Sequence, residues 1–192
     1  KSRTASAQNA NAKKWSVFLL SRYGLDKTKG ISQKWLDVIS SLHADALEIE
    51  FTTMHKSKGL EADYVFLLGL NSGMGLTFPS IFLKDPLVEM LLSTSDRFPH
   101  AEERRLFYVA LTRAKRRCSI IFRQLSPSPF VLELMAPNNK GMVTLRGDDL
   151  PQPCSCRKGY MVKRLGPWKP FLGCTRFQSD QCLNTLRISN AK

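Results

Sequence analysis

Apolar positions along this chain fall into short blocks whose period switches between two and nearly four residues. "WSVFLLSRY" (15–23) is a continuous apolar run ending in polar residues, which predicts a strand buried in a parallel sheet. "ISQKWLDVISSL" (31–42) places Ile31, Trp35, Val38, Ile39 and Leu42 at helical spacing. "LEIEFTTM" (47–54) alternates as a strand does, and "ADYVFLLGL" (62–70) reads as a strongly apolar strand. "NSGMGLTFPS" (71–80) is a Gly-rich loop ending in Phe78-Pro79, followed by a variable, partly helical stretch. "HAEERRLFYVALTRAKRR" (100–117) predicts a helix with acids in its first turn and bases in its last, matching the helix dipole. "CSIIF" (118–122) predicts a further strand, and "SPSPFVLELM" (126–135) a turn through two prolines into a short helix. Strands alternating with helices predict an α/β domain with a parallel sheet.

After about residue 136 the pattern fades. "APNNKGMVTLRGDDLPQP" is polar and punctuated by Gly and Pro, so 137–152 is expected to be a linker between a domain at 15–136 and a small one at 153–190. With 192 residues, 43% of them hydrophobic, the chain can bury one ordinary core plus a small appendage. No apolar run approaches the roughly 20 residues that span a bilayer, so no membrane partner is expected. The start, "KSRTASAQNANAKK", is basic and free of acids. Alone it could pass for a transit peptide, but without an initial Met residues 1–14 are expected to be a disordered or boundary segment.

Charge adds a partner class. Twenty-nine basic against 16 acidic residues give a formal net charge of +13, which favours a polyanion, nucleic acid before membrane; a merely solvated basic surface would give the same number. Of the five cysteines, Cys118 sits in an apolar stretch and is expected to be a small core residue, while four crowd into the last forty residues.

Three stretches carry candidate chemistry. In "TTMHKSKGLEADYVFLLGL" (52–70) a strand ends and a polar turn with His55, Lys56, Ser57, Lys58 and Gly59 leads through Glu61 into the next strand. Ligands of parallel sheets bind beyond the carboxyl ends of strands, where such groups can hold phosphates; an ordinary solvated turn explains the same residues. In "EERRLFYVALTRAKRR", Arg113 near the helix end could aim a guanidinium at a phosphate, or simply satisfy the helix dipole. In "PCSCRKGYMVKRLGPWKPFLGCTRFQSDQC" (153–182), Cys154 and Cys156 form one close pair and Cys174 and Cys182 a second, which suits a tetrahedral Zn²⁺ site.

The first two stretches together resemble motifs V and VI of the UvrD/Rep-type superfamily 1 DNA helicases, which carry T-x-H-x-x-K-G-L-E and E-E-R-R-L-x-Y-V-A-x-T-R-A patterns in this order. The resemblance covers roughly residues 15–123, and "RFPHAEERRLFYVALTRAK" followed by "SPSPF" is most similar to the bacterial helicase IV branch. It implies a partial RecA-like (P-loop NTPase-like) domain 2A in a cytoplasmic, nucleoid-associated enzyme that hydrolyses ATP with Mg²⁺, translocates on single-stranded DNA and unwinds duplex DNA. It further implies that Arg113 reaches the ATP γ-phosphate across a cleft, that Glu61 meets the ribose with Gly59 beside it, and that Thr53, His55 and Lys56 contact the DNA backbone. Arg104 and Arg105 are expected to be structural, with Glu102 and Glu103 suiting the helix start. The chain contains no G-x-x-x-x-G-K-[ST] loop, no Asp-Glu pair after a buried strand and no N-X-Y-R-S segment. It is therefore expected to be the C-terminal part of a helicase, inactive alone and partnered by N-terminal domains of the same protein, with Arg113 pointing at nothing. The rival readings are a non-catalytic nucleic-acid-binding module and a protein-docking platform.

The tail resembles the zinc-ribbon domains of bacterial type IA topoisomerases, with a C-x-C pair where that pattern has C-x-x-C. A degenerate ribbon without metal is the alternative. Residues 153–192 hold eight basic residues and one acid, Asp180, with aromatics interleaved, a combination that suits single-stranded DNA. Trp168 is the candidate exposed stacking residue, with Lys163 and Arg164 as basic contacts.

Overall fold

Two runs of apolar residues lie side by side at the centre of the main sheet. In the computed structural model, which describes residues 14–25, 32–72, 77–80, 100–136, 139, 143, 144, 146 and 151–188, β1 (Trp15–Ser21) pairs in parallel with both β2 (Leu47–Thr53) and β3 (Ala62–Leu68). A fourth strand, β4 (Ala114–Ile121), completes the order β2-β1-β3-β4, and the chain is mixed α/β. The continuous apolar runs of β1 and β3 go to the centre, burying Val17, Phe18, Leu20, Val65 and Leu67. The alternating run takes the edge as β2, where one face alone needs covering.

Helix α1 (Gln33–Leu42) starts at Ser32, whose hydroxyl accepts from the Trp35 N–H at 3.2 Å. Its apolar stripe does not face a core: Trp35 and Leu42 are 45% and 71% exposed, and Leu36 is the buried position. Ile31, the first position of that stripe, lies outside the described residues, as do 1–13, the loop tip 73–76, the stretch 81–99 and most of the expected linker.

The helix expected over 100–117 is shorter. Helix α2 spans Ala101–Leu111, with Glu102 and Glu103 in its first turn and no base in its last. The basic run 113–117 leaves it through a turn at Thr112–Arg113 and becomes β4, so the strand expected at 118–122 begins four residues earlier. Pairing with β3 satisfies more backbone groups than a further helical turn would. Lysine and arginine also suit an edge strand, where charge discourages pairing with another chain.

By proximity the chain divides into two compact units, residues 1–68 with 105–120, and residues 69–104 with 121–192. In the second unit Phe78 and Phe130 meet edge to face at 5.5 Å, and both are fully buried. Arg104 forms a bidentate pair with Glu133 and lies over the Phe130 ring at 4.8 Å. Glu103 is buried against Ser80. Helix α3 (Pro129–Leu134) is capped by Ser128. The tail forms an antiparallel sheet of β5 (Met161–Leu165), β6 (Pro170–Cys174) and β7 (Thr185–Arg187), with a one-turn helix α4 (Phe177–Asp180).

Candidate functional site

The polar turn after β2 is held from within. Thr53 closes the strand, its hydroxyl accepts from the Lys56 N–H at 3.3 Å, and its carbonyl accepts from the Ser57 N–H at 3.0 Å. Met54 and Ser57 point inward and are fully buried, with the Ser57 hydroxyl donating to the Met54 carbonyl at 2.8 Å. This inward pair pushes His55, Lys56 and Lys58 out to solvent. Gly59 then turns the chain at φ +85°, a left-handed conformation that favours glycine.

Arg113 meets this turn. Its Nε donates to the Val109 carbonyl at 2.9 Å, and its Nη2 donates to the Thr112 hydroxyl at 3.1 Å. Nη1 reaches across to the Leu60 carbonyl at 3.1 Å, while the Arg113 carbonyl accepts from the Ala62 N–H at 3.0 Å. The guanidinium thus caps its own helix end, where carbonyls lack partners, and ties it to the 57–61 turn. The expectation that Arg113 would point at nothing is corrected: three oxygen acceptors within the same unit hold it. Beside it, Lys115 Nζ lies 3.7 Å from Glu61, and both side chains are more than half exposed. An exposed pair of this kind contributes little to stability but restrains where the carboxylate sits. Lys115 went unnoticed in the sequence because the basic run read as helix end; its place on β4 sets it opposite Glu61.

The four tail cysteines converge. Their Sγ atoms all lie within 4.8 Å of one another. Cys154 and Cys182 are 3.8 Å apart, and Cys156 and Cys174 are 3.7 Å apart. A tetrahedral ion with metal–sulfur bonds of about 2.3 Å holds its sulfurs about 3.8 Å apart, so the cluster fits Zn²⁺ in size and in donor chemistry. The short bite of the C-x-C pair does not keep it out of the cluster, since the Cys154 and Cys156 sulfurs lie within 4.8 Å of each other and of both distant cysteine sulfurs. Two N–H groups donate to sulfur, Asn184 Nδ2 to Cys154 and the Arg176 backbone to Cys174, each at 3.3 Å. Burial raises the Cys154 thiol, but hydrogen bonds from the Cys156 backbone and Asn184 outweigh it and hold the group at about 6. Cys174 is pushed up to about 12, chiefly by burial. Neither Asn184 nor the Arg176 amide was legible in the spacing of the cysteines.

The expected DNA contacts of the tail separate. Trp168 lies in the turn between β5 and β6, 93% exposed. Lys163 and Arg164 are neighbours on β5, so their side chains leave opposite faces of the sheet. Arg164 Nη2 donates to the Cys174 carbonyl at 2.9 Å, and the guanidinium lies 5.9 Å from the Phe177 ring centre.

The first of these sites lies in a stretch shared with known proteins. Residues 31–124 match the UvrD-like helicase C-terminal domain. The chain is 49% identical to DNA helicase IV of Escherichia coli over 85 residues, 44% of this chain and 12% of that protein. It is 31% identical to Escherichia coli DNA helicase II over 105 residues, 55% of this chain and 11% of that one. To the ATP-dependent DNA helicase Rep of Buchnera aphidicola it is 32% identical over 96 residues, 45% of this chain and 12% of the relative. The chain therefore spans only about an eighth of the length of these relatives. No solved structure matches it. The UvrD-like stretch ends at residue 124, so the cysteine cluster lies beyond it. Among the described residues, no helix is long and apolar enough to cross a membrane.

Proposed function

We propose that this chain is the C-terminal part of an ATP-dependent DNA helicase of the UvrD/Rep type, supplying one wall of the ATP cleft and part of the DNA-binding surface. The observation that supports this most directly is the clasp between the two UvrD-like motifs, in which Arg113 bonds to Leu60 through its side chain and to Ala62 through its backbone. A residue so placed can respond to a phosphate on one side and move the 53–61 turn on the other. In this reading Arg113 exchanges the Leu60 carbonyl for the γ-phosphate of ATP. A charged donor gains more from an anionic oxygen than from a neutral carbonyl, so the exchange is favourable once the nucleotide arrives. Glu61 accepts from the ribose, with Lys115 holding it in place and Gly59 leaving room. Thr53, His55 and Lys56 follow the backbone of single-stranded DNA. Mg²⁺ and the attacking water are held by residues outside this chain, in a domain completing the RecA-like cleft.

The tail belongs to this proposal as a zinc-ribbon-like module. Cys154, Cys156, Cys174 and Cys182 would hold the ion, which would act as a structural cross-link in a sheet too small to fold on burial alone.

The deciding experiment is Arg113→Ala in the full-length protein. DNA-stimulated ATP turnover is expected to fall by a factor of about 10³ or more, as for other arginines that stabilise phosphoryl transfer, while DNA affinity stays within about threefold. Unchanged turnover would remove Arg113 from the ATP site and with it the main support for the helicase reading.

A further inference from the structure

The tail sheet has one face turned to its core and one that is not. Met161, Leu172 and Cys174 share the first face: Met161 lies opposite Cys174 in register, and the buried cluster consists of Cys154, Met161 and Cys174 with Leu172 packed against it. Side chains alternate along strands, so Arg164, Phe171, Gly173, Thr185 and Arg187 occupy the second face. Register aligns three of them in one row. Arg164 is opposite Phe171, and Phe171 is opposite Arg187, giving arginine, aromatic, arginine across β5, β6 and β7.

The floor around the aromatic ring is bare. A Cβ at Gly173 would come within 3.2 Å of Phe171 Cε2 and 2.7 Å of Arg164 Cδ, and one at Gly166 would come within 3.2 Å of the Phe171 ring. The ring and the arginine stem thus lie down over two glycines, which leaves the ring's other face clear of any side chain from those positions. Arg187 and Thr185 are exposed, and Trp168 stands at the turn between β5 and β6 with Lys169 beside it. Asp180, the one acid of residues 153–192, is tied to Arg176 at 2.8 Å and is not in the row.

We infer that this second face, centred on Phe171 and flanked by Arg164 and Arg187, is a stacking platform for single-stranded DNA. An unpaired base offers a flat apolar surface to Phe171, and the exposed Arg187 guanidinium meets an adjoining phosphate, while Arg164, held by the Cys174 carbonyl at 2.9 Å, builds the floor beside the ring. Neighbouring strands lie about 5 Å apart, so Arg187 on β7 stands one strand from Phe171, within reach of a phosphate adjoining the stacked base. Duplex DNA cannot use the platform, because its bases are stacked on one another. Trp168 extends the surface at the hairpin turn. The inference takes from the proposed function that DNA is the partner, and adds which surface meets it and in what form.

The test is fluorescence anisotropy of the whole chain with labelled oligo-dT and with a duplex of equal length, over a range of salt. Phe171→Leu is expected to weaken oligo-dT binding about tenfold, within the roughly 5- to 150-fold range of a lost base stack, while Phe171→Tyr retains it. Arg187→Gln, at an exposed strand end, is expected to reduce the salt slope by about 0.7, the value of one phosphate contact on a single strand. Duplex affinity should change little in each case. Zinc content and circular dichroism of each variant report whether the tail still folds. If the unaltered chain binds neither oligonucleotide, DNA is not the partner and the wider reading fails with the platform. If it binds and Arg187→Gln and Phe171→Leu do not alter binding, or Lys163→Gln on the opposite face abolishes it instead, the platform is wrong and the helicase reading stands.

Discussion

At Glu103 a carboxylate that helix electrostatics alone would leave in solvent is buried, accepting from the Ser80 hydroxyl at 3.0 Å and the Ser80 N–H at 3.3 Å. Glu103→Ala leaves two buried donors without this acceptor, and is expected to cost about 1–3 kcal/mol, measured as a lower urea midpoint at unchanged slope. Glu102, one position away in the same turn, is exposed, and the sequence could not separate the two. Cys118 makes the complementary case. It was expected in the core, and the structure leaves it half-buried on β4, with burial raising its thiol from 9.0 to about 11. Between about 9 and about 11 only the unfolded chain ionises there, so the thiol favours the folded state below pH 9 and that contribution is lost as pH rises through 11. At pH 8 the folded protein should therefore alkylate at Cys118 much more slowly than the urea-unfolded chain, read by mass mapping of iodoacetamide adducts.

Elements were legible where one local rule acted alone. The apolar runs of β1 and β3 and the alternation of β2 read directly as strands, because burial on two faces or one leaves different patterns. The end of α2 did not, because lysine and arginine satisfy both a helix C-terminus and a sheet edge, and only the pairing of β4 beside β3 decides between them. The α1 stripe was legible as a helix but not as a surface: spacing reports which residues share a face, and cannot report what covers it. Helix α3 is short enough for its cap to matter. Ser128 is fully buried, its hydroxyl accepts from the Phe130 N–H at 3.2 Å, and its own N–H donates to the Leu70 carbonyl at 2.9 Å. Ser128→Ala removes the cap and keeps the backbone bond, so a loss of about 1 kcal/mol is expected, visible in thermal unfolding followed by far-UV circular dichroism.

Across the whole molecule the two UvrD-like motifs, the cysteine pairs and the basic tail were readable as sequence, while their mutual placement was not. Spacing gave four thiols in two pairs; the fold brings all four sulfurs within 4.8 Å of one another. Removing the proposed Zn²⁺ with a strong chelator should therefore free all four thiols at once. Amide exchange in 154–187 is expected to rise sharply while that of β1 and β3 stays unchanged; slow exchange throughout after complete zinc loss would mean that the tail is held by its apolar cluster instead. The join at Arg113 carries a different consequence. Its backbone bonds to Ala62 and its side chain to Leu60, two anchors two residues apart on the same strand entry. The backbone anchor at Ala62 stays when the side chain leaves Leu60 for a phosphate, so the helix end and the turn remain joined through the exchange. Within the proposed helicase, the grip on DNA and the contact with nucleotide would then behave as a single machine part, and evolution could not easily tune one without the other.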